Sequence, residues 1–178
     1  MKSEARKESL MDMDANSTII DRLEEHILTC GWEYARVAEQ VINFKRVGTW
    51  HNYGFYVAQQ SSGTVLVTGS FELRLAKKDK KIQIKRVLKL LNLFHEDVPL
   101  GTFSLNMNKG TGIPTITWTY QFYRAVESEG DDSVLERVLD EALSEIEEMY
   151  PSFQRVILPG ITVQQAYDFA IPEVYGRA

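Results

Sequence analysis

The sequence predicts an α+β fold, a two-layer sandwich in which helices cover one face of an antiparallel sheet. Apolar and polar residues alternate over 64–75 and again over 115–122, as in strands with one buried and one solvated face. Three other segments repeat apolar residues at the three- and four-residue spacing of amphipathic helices. A doubly wound parallel sheet is rejected because its strands would be almost continuously apolar. The predicted order is α-β(3–4)-α-β-β-α-α.

The first helix is predicted to begin near Ser17 or Thr18, where Asp21 offers a weak capping box, and to end at Gly31. Its apolar stripe consists of Ile20, Leu23, Ile27 and Cys30. Because the only cysteine lies on this stripe, it is expected to be a buried and inert thiol. Strands follow over 32–38, 40–46, 53–59 and 64–75, with a Ser-Ser-Gly hairpin signal at 61–63.

The second helix is predicted over 79–94, and two strands around a glycine-containing hairpin at 108–112 follow it. The expected buried stripe of this helix is Ile84, Val87, Leu88, Leu91 and Phe94. In the strand after the hairpin, every second residue is expected to face the core. These residues are Trp118, Tyr120 and Phe122.

An acidic amphipathic helix is predicted to begin at the Asp-Asp pair 131–132. It is expected to stop at Tyr150, because the residue before Pro151 is pushed out of the α region. Phe153 should then fill the core between this helix and the sheet. A capped helix from Thr162 completes the predicted domain.

The chain is expected to comprise a mobile polar arm (1–16), one domain (17–171) and a C-terminal tail (172–178). Its 178 residues are 44% hydrophobic and 25% charged, which is typical of a soluble globular protein. The charged N-terminus has no apolar stretch behind it, so no signal peptide is expected, and no segment is long and apolar enough for a membrane span. With a single cysteine, these features favour the cytoplasm.

The sequence contains no constellation that predicts catalysis or a cofactor. Its three histidines, His26, His51 and His95, have no partner at metal-ligand spacing, and the run 95–97 would not converge easily on one ion. A nucleophile elbow, a Cys/His signature and a phosphate loop are all missing. We therefore expect no catalytic residue, no metal, no cofactor and no enzymatic activity.

Two blocks of charge stand out. Eight basic residues lie between Arg74 and Lys89, and ten acidic residues lie between Glu127 and Glu148. Lysines at a helix N-terminus oppose the helix dipole, so local stability does not explain the basic block. The blocks are either ordinary solvated faces or complementary surfaces, the basic block meeting helix 131–149 of the same chain or of a second copy. Nucleic-acid binding through 74–89 is disfavoured by the net charge of -5 and the pI near 5.3.

Aromatic residues in and after a predicted loop, together with the basic block, supply the candidate contacts for a protein or peptide partner. These are Trp50, Tyr53, Tyr56, Lys77, Lys78, Lys81 and Lys85.

Short motifs in a fixed order suggest a family. They are Gly31-Trp32 with Tyr34, Leu90-Leu91-Asn92, Gly101-Thr102-Phe103, Tyr150-Pro151-Ser152-Phe153-Gln154 and the amphipathic segment 162–170. In this order, over roughly 17–171, the chain resembles the bacterial YbjN-domain family. The resemblance implies a fold like that of type III secretion chaperones.

It also implies a non-enzymatic function, as a bacterial sensory transduction regulator or a chaperone-like adaptor that binds a peptide or protein, and a homodimer. The alternative is a small-ligand-binding protein or enzyme with a pocket between sheet and helices.

Overall fold

The computed structural model describes residues 18–95, 98–108, 110–123 and 131–170, with side chains from residue 134 onward in the last range. The predicted arm and C-terminal tail, and Glu96 and Asp97 of the His95 run, lie outside these residues. The described part contains one sheet of six strands and the helices packed on it.

The strands all pair antiparallel, in the order β1-β2-β3-β4-β6-β5. They are β1 (Tyr34–Ala38), β2 (Val41–Val47), β3 (Asn52–Gln59), β4 (Thr64–Glu72), β5 (Thr102–Met107) and β6 (Pro114–Tyr123). The helices are α1 (Ile19–Cys30), α2 (Lys80–Phe94), α3 (Asp131–Val156) and α4 (Val163–Ala170). The predicted α+β fold with an antiparallel sheet is confirmed.

The alternation along the strands decides which sheet face is covered. Val65, Val67 and Phe71 are buried, whereas Thr68 and Ser70 between them stay partly exposed on the other, open face. Helix α1 packs on β2 and β3, α2 on β5, and α3 on β4. All these contacts are on the apolar face, so the core is a single layer between sheet and helices.

Helix α1 has the predicted ends. The amide of Asp21 donates to Oγ1 of Thr18 at 3.2 Å, and the amide of Thr18 donates to the Asp21 carboxylate at 2.8 Å, which is a complete capping box. Gly31 closes the helix with a φ of 68°, a conformation in which a glycine avoids strain. The prediction that Cys30 is buried is wrong, because Cys30 lies on the exposed side of the last turn.

In helix α2 the buried face is rotated from the predicted one. Val87, Leu91 and Phe94 are buried as predicted, but Leu88 is 45% exposed and Leu90 is fully buried instead. The Gln83 side chain is also buried, because its amide donates to the carbonyl of Ile157 at 2.8 Å and its oxygen accepts from the amide of Ala76. Helix α2 therefore packs against the end of α3 as well as the sheet.

Helix α3 does not stop at Tyr150 as predicted but continues through Pro151 to Val156. Proline removes one helical hydrogen bond and crowds the preceding turn, at a cost of about 3 kcal/mol. The apolar stripe nevertheless continues at helical spacing across it, from Ile146 and Met149 to Phe153 and Val156, all buried. Burial of these side chains on the sheet and on α2 outweighs the local preference.

Phe153 fills the core, as predicted. It is fully buried, and its ring lies 5.5–5.8 Å from the rings of Phe71, Phe94 and Phe103, which come from β4, α2 and β5. One side chain of α3 thus contacts three other elements.

We expect Phe153→Ala to lower the free energy of unfolding by about 3–5 kcal/mol, since it opens a cavity at this junction. The control Glu141→Ala removes an exposed side chain of the same helix and should change it by less than about 0.5 kcal/mol. Urea denaturation measures both, and equal stability of the two variants would contradict the role of Phe153.

Candidate functional site

The outward side of α2 carries a row of exposed lysines. Lys81, Lys85 and Lys89 follow one another at four-residue intervals, so they lie on one side of the helix. Lys77 and Lys78 are exposed in the turn before it. Lys81 and Lys85 therefore share one side of α2, and the other two predicted lysine contacts are exposed just before it.

Two large apolar side chains lie among these lysines. Ile82 is 62% exposed and Leu88 is 45% exposed, although both are in a helix whose other apolar residues are mostly buried. We refer to Lys77, Lys78, Lys81, Ile82, Lys85, Leu88 and Lys89 as the basic face. Exposed apolar area that is rimmed by polar side chains is a feature of protein-contact surfaces.

The other basic residues of α2 serve the fold instead. Lys80 donates to the carbonyl of Gly112 at 2.8 Å, and Arg86 donates to the carbonyls of Leu158 and Ile161 after α3. Among the described residues, no ion pair joins the basic face to α3. The expectation that the basic block meets the acidic helix of its own chain is thus not met in the described part.

The three candidate aromatic residues are not brought together. Trp50 is 59% exposed in the β2–β3 turn, and Tyr56 is 37% exposed on the open sheet face, opposite to the helices. The prediction that Tyr53 is a surface contact is wrong, because its side chain is fully buried against Phe71 and Tyr150. Its side chain points to the core from β3, a segment that the sequence had already predicted to be a strand.

Glu147 of α3 holds the turn that carries Trp50. Its carboxylate accepts the amides of Thr49 at 2.8 Å and Trp50 at 3.4 Å. The buried hydroxyl of Tyr53 lies near the same carboxylate without the geometry of a full hydrogen bond. Burial acts to raise the pKa of Glu147, but Tyr53 and the turn together outweigh it and leave that pKa below its usual value.

A cavity of about 370 Å³ lies between α3, the end of β6 and the loop before β5. Its apolar walls include Tyr120 and Phe122, which were expected in the core but are only half-buried here. Arg137 and Glu141 of α3 lie at its exposed side, and Glu145 lies at its inner end. A volume in this range is typical of small-molecule sites.

The inner residue, Glu145, is a buried carboxylate on the apolar side of α3, only 5% exposed. It accepts the indole N–H of Trp118 at 2.5 Å and the amides of Leu100 at 2.9 Å and Gly101 at 3.3 Å. Gly101 is required here because a Cβ atom would overlap the Trp118 ring. The Gly-x-Phe motif thus lets the loop approach both the tryptophan and the carboxylate.

Sequence reasoning missed Glu145, which it grouped with the solvated acidic residues of the helix. The available signal was its spacing, since it lies one helical turn from Ala142 and Met149 on the buried stripe. An acidic residue at a core position indicates a buried hydrogen-bonded carboxylate.

The comparisons with known proteins agree with this arrangement of elements. A family model described as "Putative bacterial sensory transduction regulator", YbjN, matches residues 20–155. This range begins in α1 and ends in the last turn of α3. The chain belongs to the YbjN family.

A solved structure of a YbjN protein has the same fold. It is described as "Crystal structure of YbjN, a putative transcription regulator from E. coli" and superimposes with a TM-score of 0.51 at 11% sequence identity. The match covers 75% of this chain and 93% of the E. coli chain. A search of curated protein sequences found no match.

Two absences hold for the described residues. Within them, no three histidine, cysteine or acidic side chains are grouped so as to hold a metal ion. None of the helices there has the length and apolar character that crossing a bilayer requires.

We expect Glu145→Ala to lower the free energy of unfolding by about 2–4 kcal/mol, because it leaves the buried indole N–H of Trp118 and two partly buried backbone amides without their acceptor. Glu148→Ala, an exposed change on the same helix, is the control. Urea denaturation followed by tryptophan fluorescence measures the effect. A variant as stable as the control would mean that the carboxylate is dispensable.

Glu147 should contribute to the pH dependence of stability. Its folded-state pKa lies below the unfolded value of about 4.5, so the carboxylate stabilises the fold above that pH and the contribution is lost as the pH falls through the folded pKa. Glu147→Gln should therefore lose less stability than the wild type between about pH 5 and about pH 3. Identical pH curves for Glu147→Gln and the wild type would refute this role.

Proposed function

We propose that this YbjN protein is a non-enzymatic protein-interaction module, a regulator or chaperone-like adaptor that binds an acidic protein partner through the basic face of α2. The observation that carries the proposal is the combination of five exposed lysines, on α2 and in the turn before it, with exposed Ile82 and Leu88. The family description as a sensory transduction regulator is consistent with such a role.

Charge complementarity favours an acidic partner. The lysines of the basic face have no ion-pair partner among the described residues, so their charges remain available. Apolar contacts through Ile82 and Leu88 would supply most of the affinity, because exposed ion pairs contribute only about 0–1 kcal/mol each. A phosphate backbone would make less use of the apolar side chains, and the net charge of -5 opposes it.

A second copy of the chain is the partner that we propose first. The exposed acidic residues of α3 include Glu141 and Glu148, and two-fold symmetry would let the basic face of each copy meet α3 of the other in two equivalent contacts. The proposed homodimer is therefore expected to weaken as salt rises.

We expect sedimentation to show a dimer that weakens modestly between 0.1 M and 1 M salt, as the screening length falls from about 10 Å to about 3 Å. The double variant Lys81→Glu/Lys85→Glu should raise the dissociation constant of the dimer about tenfold, since each lost attraction becomes a repulsion. The control Lys45→Glu changes a lysine of the sheet that pairs with Glu33.

A monomer at micromolar concentration in both buffers would exclude the homodimer. Binding to another protein is then tested by capture from the native extract with wild-type and double-variant protein. Proteins retained by the wild type and Lys45→Glu, but lost with the double variant, would support the basic face. Identical recovery on all three proteins would refute the role of the basic face. Retention of nucleic acid alone would show that the basic face binds nucleic acid and not a protein.

The cavity above Glu145 favours a second candidate function, small-ligand binding. Its aromatic and aliphatic walls, with Arg137 and Glu141 at the exposed side, suit an apolar molecule with a polar group. Ligand-observed NMR with a fragment library tests this candidate. Saturable binding that Val138→Trp abolishes would support it, and the absence of such binding would remove it.

A further inference from the structure

Cys30 lies beside polar side chains of its own helix and of α3. Its Sγ lies 3.5 Å from Nε2 of His26, which is one turn earlier on α1. Nδ1 of the same imidazole lies 3.1 Å from Oε1 of Glu136 on α3. A thiol, an imidazole and a carboxylate are thus connected in series, and the thiol is exposed.

This order of groups is that of an activated nucleophile. When Nδ1–H of His26 donates to Glu136, Nε2 is left as the acceptor for the thiol hydrogen. The ring is also fixed from the side, because it packs edge-on against Trp32 at 5.6 Å, and Arg46 lies over Trp32 at 4.7 Å. The imidazole is therefore held in position for the proton of Cys30.

Helix geometry supplies one of the two contacts, because His26 and Cys30 are four residues apart on α1, and the packing of α3 on α1 supplies the other, from Glu136. Cys30 is at the C-terminal end of α1, where the helix dipole disfavours a negative charge. A thiolate there depends on the imidazolium beside it. None of the three side chains belongs to the buried core, so the core does not account for their alignment.

We propose that Cys30 is an oxidation-sensitive site that reacts with hydroperoxides, with His26 as its base and Glu136 as the residue that positions His26. The thiol proton moves to Nε2 of His26, and the thiolate attacks one peroxide oxygen. The S–O bond forms as the O–O bond breaks, and the leaving oxygen takes the proton back from His26. Sulfur loses two electrons and becomes a sulfenic acid, while the peroxide is reduced to an alcohol or water.

The sulfenic acid of Cys30 must be reduced by a thiol from outside its own chain. Since the sequence contains no second cysteine, no thiol of the same chain can resolve the sulfenic acid. An external thiol, or Cys30 of another copy, must reduce it through a mixed disulfide. Oxidation would also replace the contact between Cys30 and His26. Because this contact lies where α1 meets α3, the oxidation would alter the packing of the two helices.

The test measures the second-order rate of oxidation by hydrogen peroxide on the full-length protein, with dimedone trapping and intact-mass detection. We expect His26→Gln to react at least about tenfold more slowly than the wild type, and Glu136→Gln to be intermediate. The control Glu148→Gln, the same change at an exposed position of α3, should keep the wild-type rate.

Two further measurements separate chemistry from structure. In urea, where the contacts are lost, all variants should react at one common rate, so a difference seen only in the folded state arises from the arrangement. Glu136→Gln should have no further effect in the His26→Gln background, because Glu136 acts only through the imidazole. A His26→Gln rate within about twofold of the wild type, or a folded wild type no faster than the unfolded chain, would overturn the proposal.

Discussion

The fold depends on one continuous apolar stripe along α3. The stripe runs from Leu135 to Val156 and stays buried across Pro151, so one continuous helix supplies this part of the core. Ile146 packs against Gly69 of β4, where any Cβ atom would overlap it. Because this contact fixes how close α3 comes to the sheet, the positions of the groups on its flanks follow from it.

Four acidic residues of this helix bind polar groups of other elements. Glu136 contacts His26, and Asp140 pairs with Arg46. Glu145 accepts a hydrogen bond from Trp118, and Glu147 accepts one from the β2–β3 turn. These bonds join α3 to α1, β2, β6 and the turn. Acidic residues on α3 are therefore divided between structural acceptors and free surface charge, and their spacing along the helix decides which is which.

Glu145 illustrates the energetic balance. Burying a carboxylate costs several kcal/mol, but here three N–H groups converge on it, two of them from a backbone that Gly101 allows to come close. The loop before β5, the indole of Trp118 and α3 therefore constrain one another. A cavity remains beside this group, at the end of the sheet where Tyr120 and Phe122 are only half covered.

The surfaces proposed for function are separate from this interior. The basic face belongs to α2 and the thiol site to the end of α1, so their roles can be changed without disturbing Phe153 or Glu145. YbjN membership establishes the family and the fold, whereas function depends on such surface groups. Variants of the two surfaces can therefore be interpreted independently.

The sequence by itself determined the α+β class, the antiparallel pairing and the limits of α1, since alternation, helical spacing and the Thr18 and Gly31 caps are local signals. Tertiary structure decided where those signals compete with packing: α3 passes Pro151 because its stripe stays buried, and α2 turns Leu88 outward because Leu90 and Gln83 find partners inside. It also decided the environments of Cys30 and Glu145. Glu136, which contacts His26 beside Cys30, and Trp118, which donates to Glu145, come from distant parts of the chain, and no local pattern predicts a contact that only packing creates.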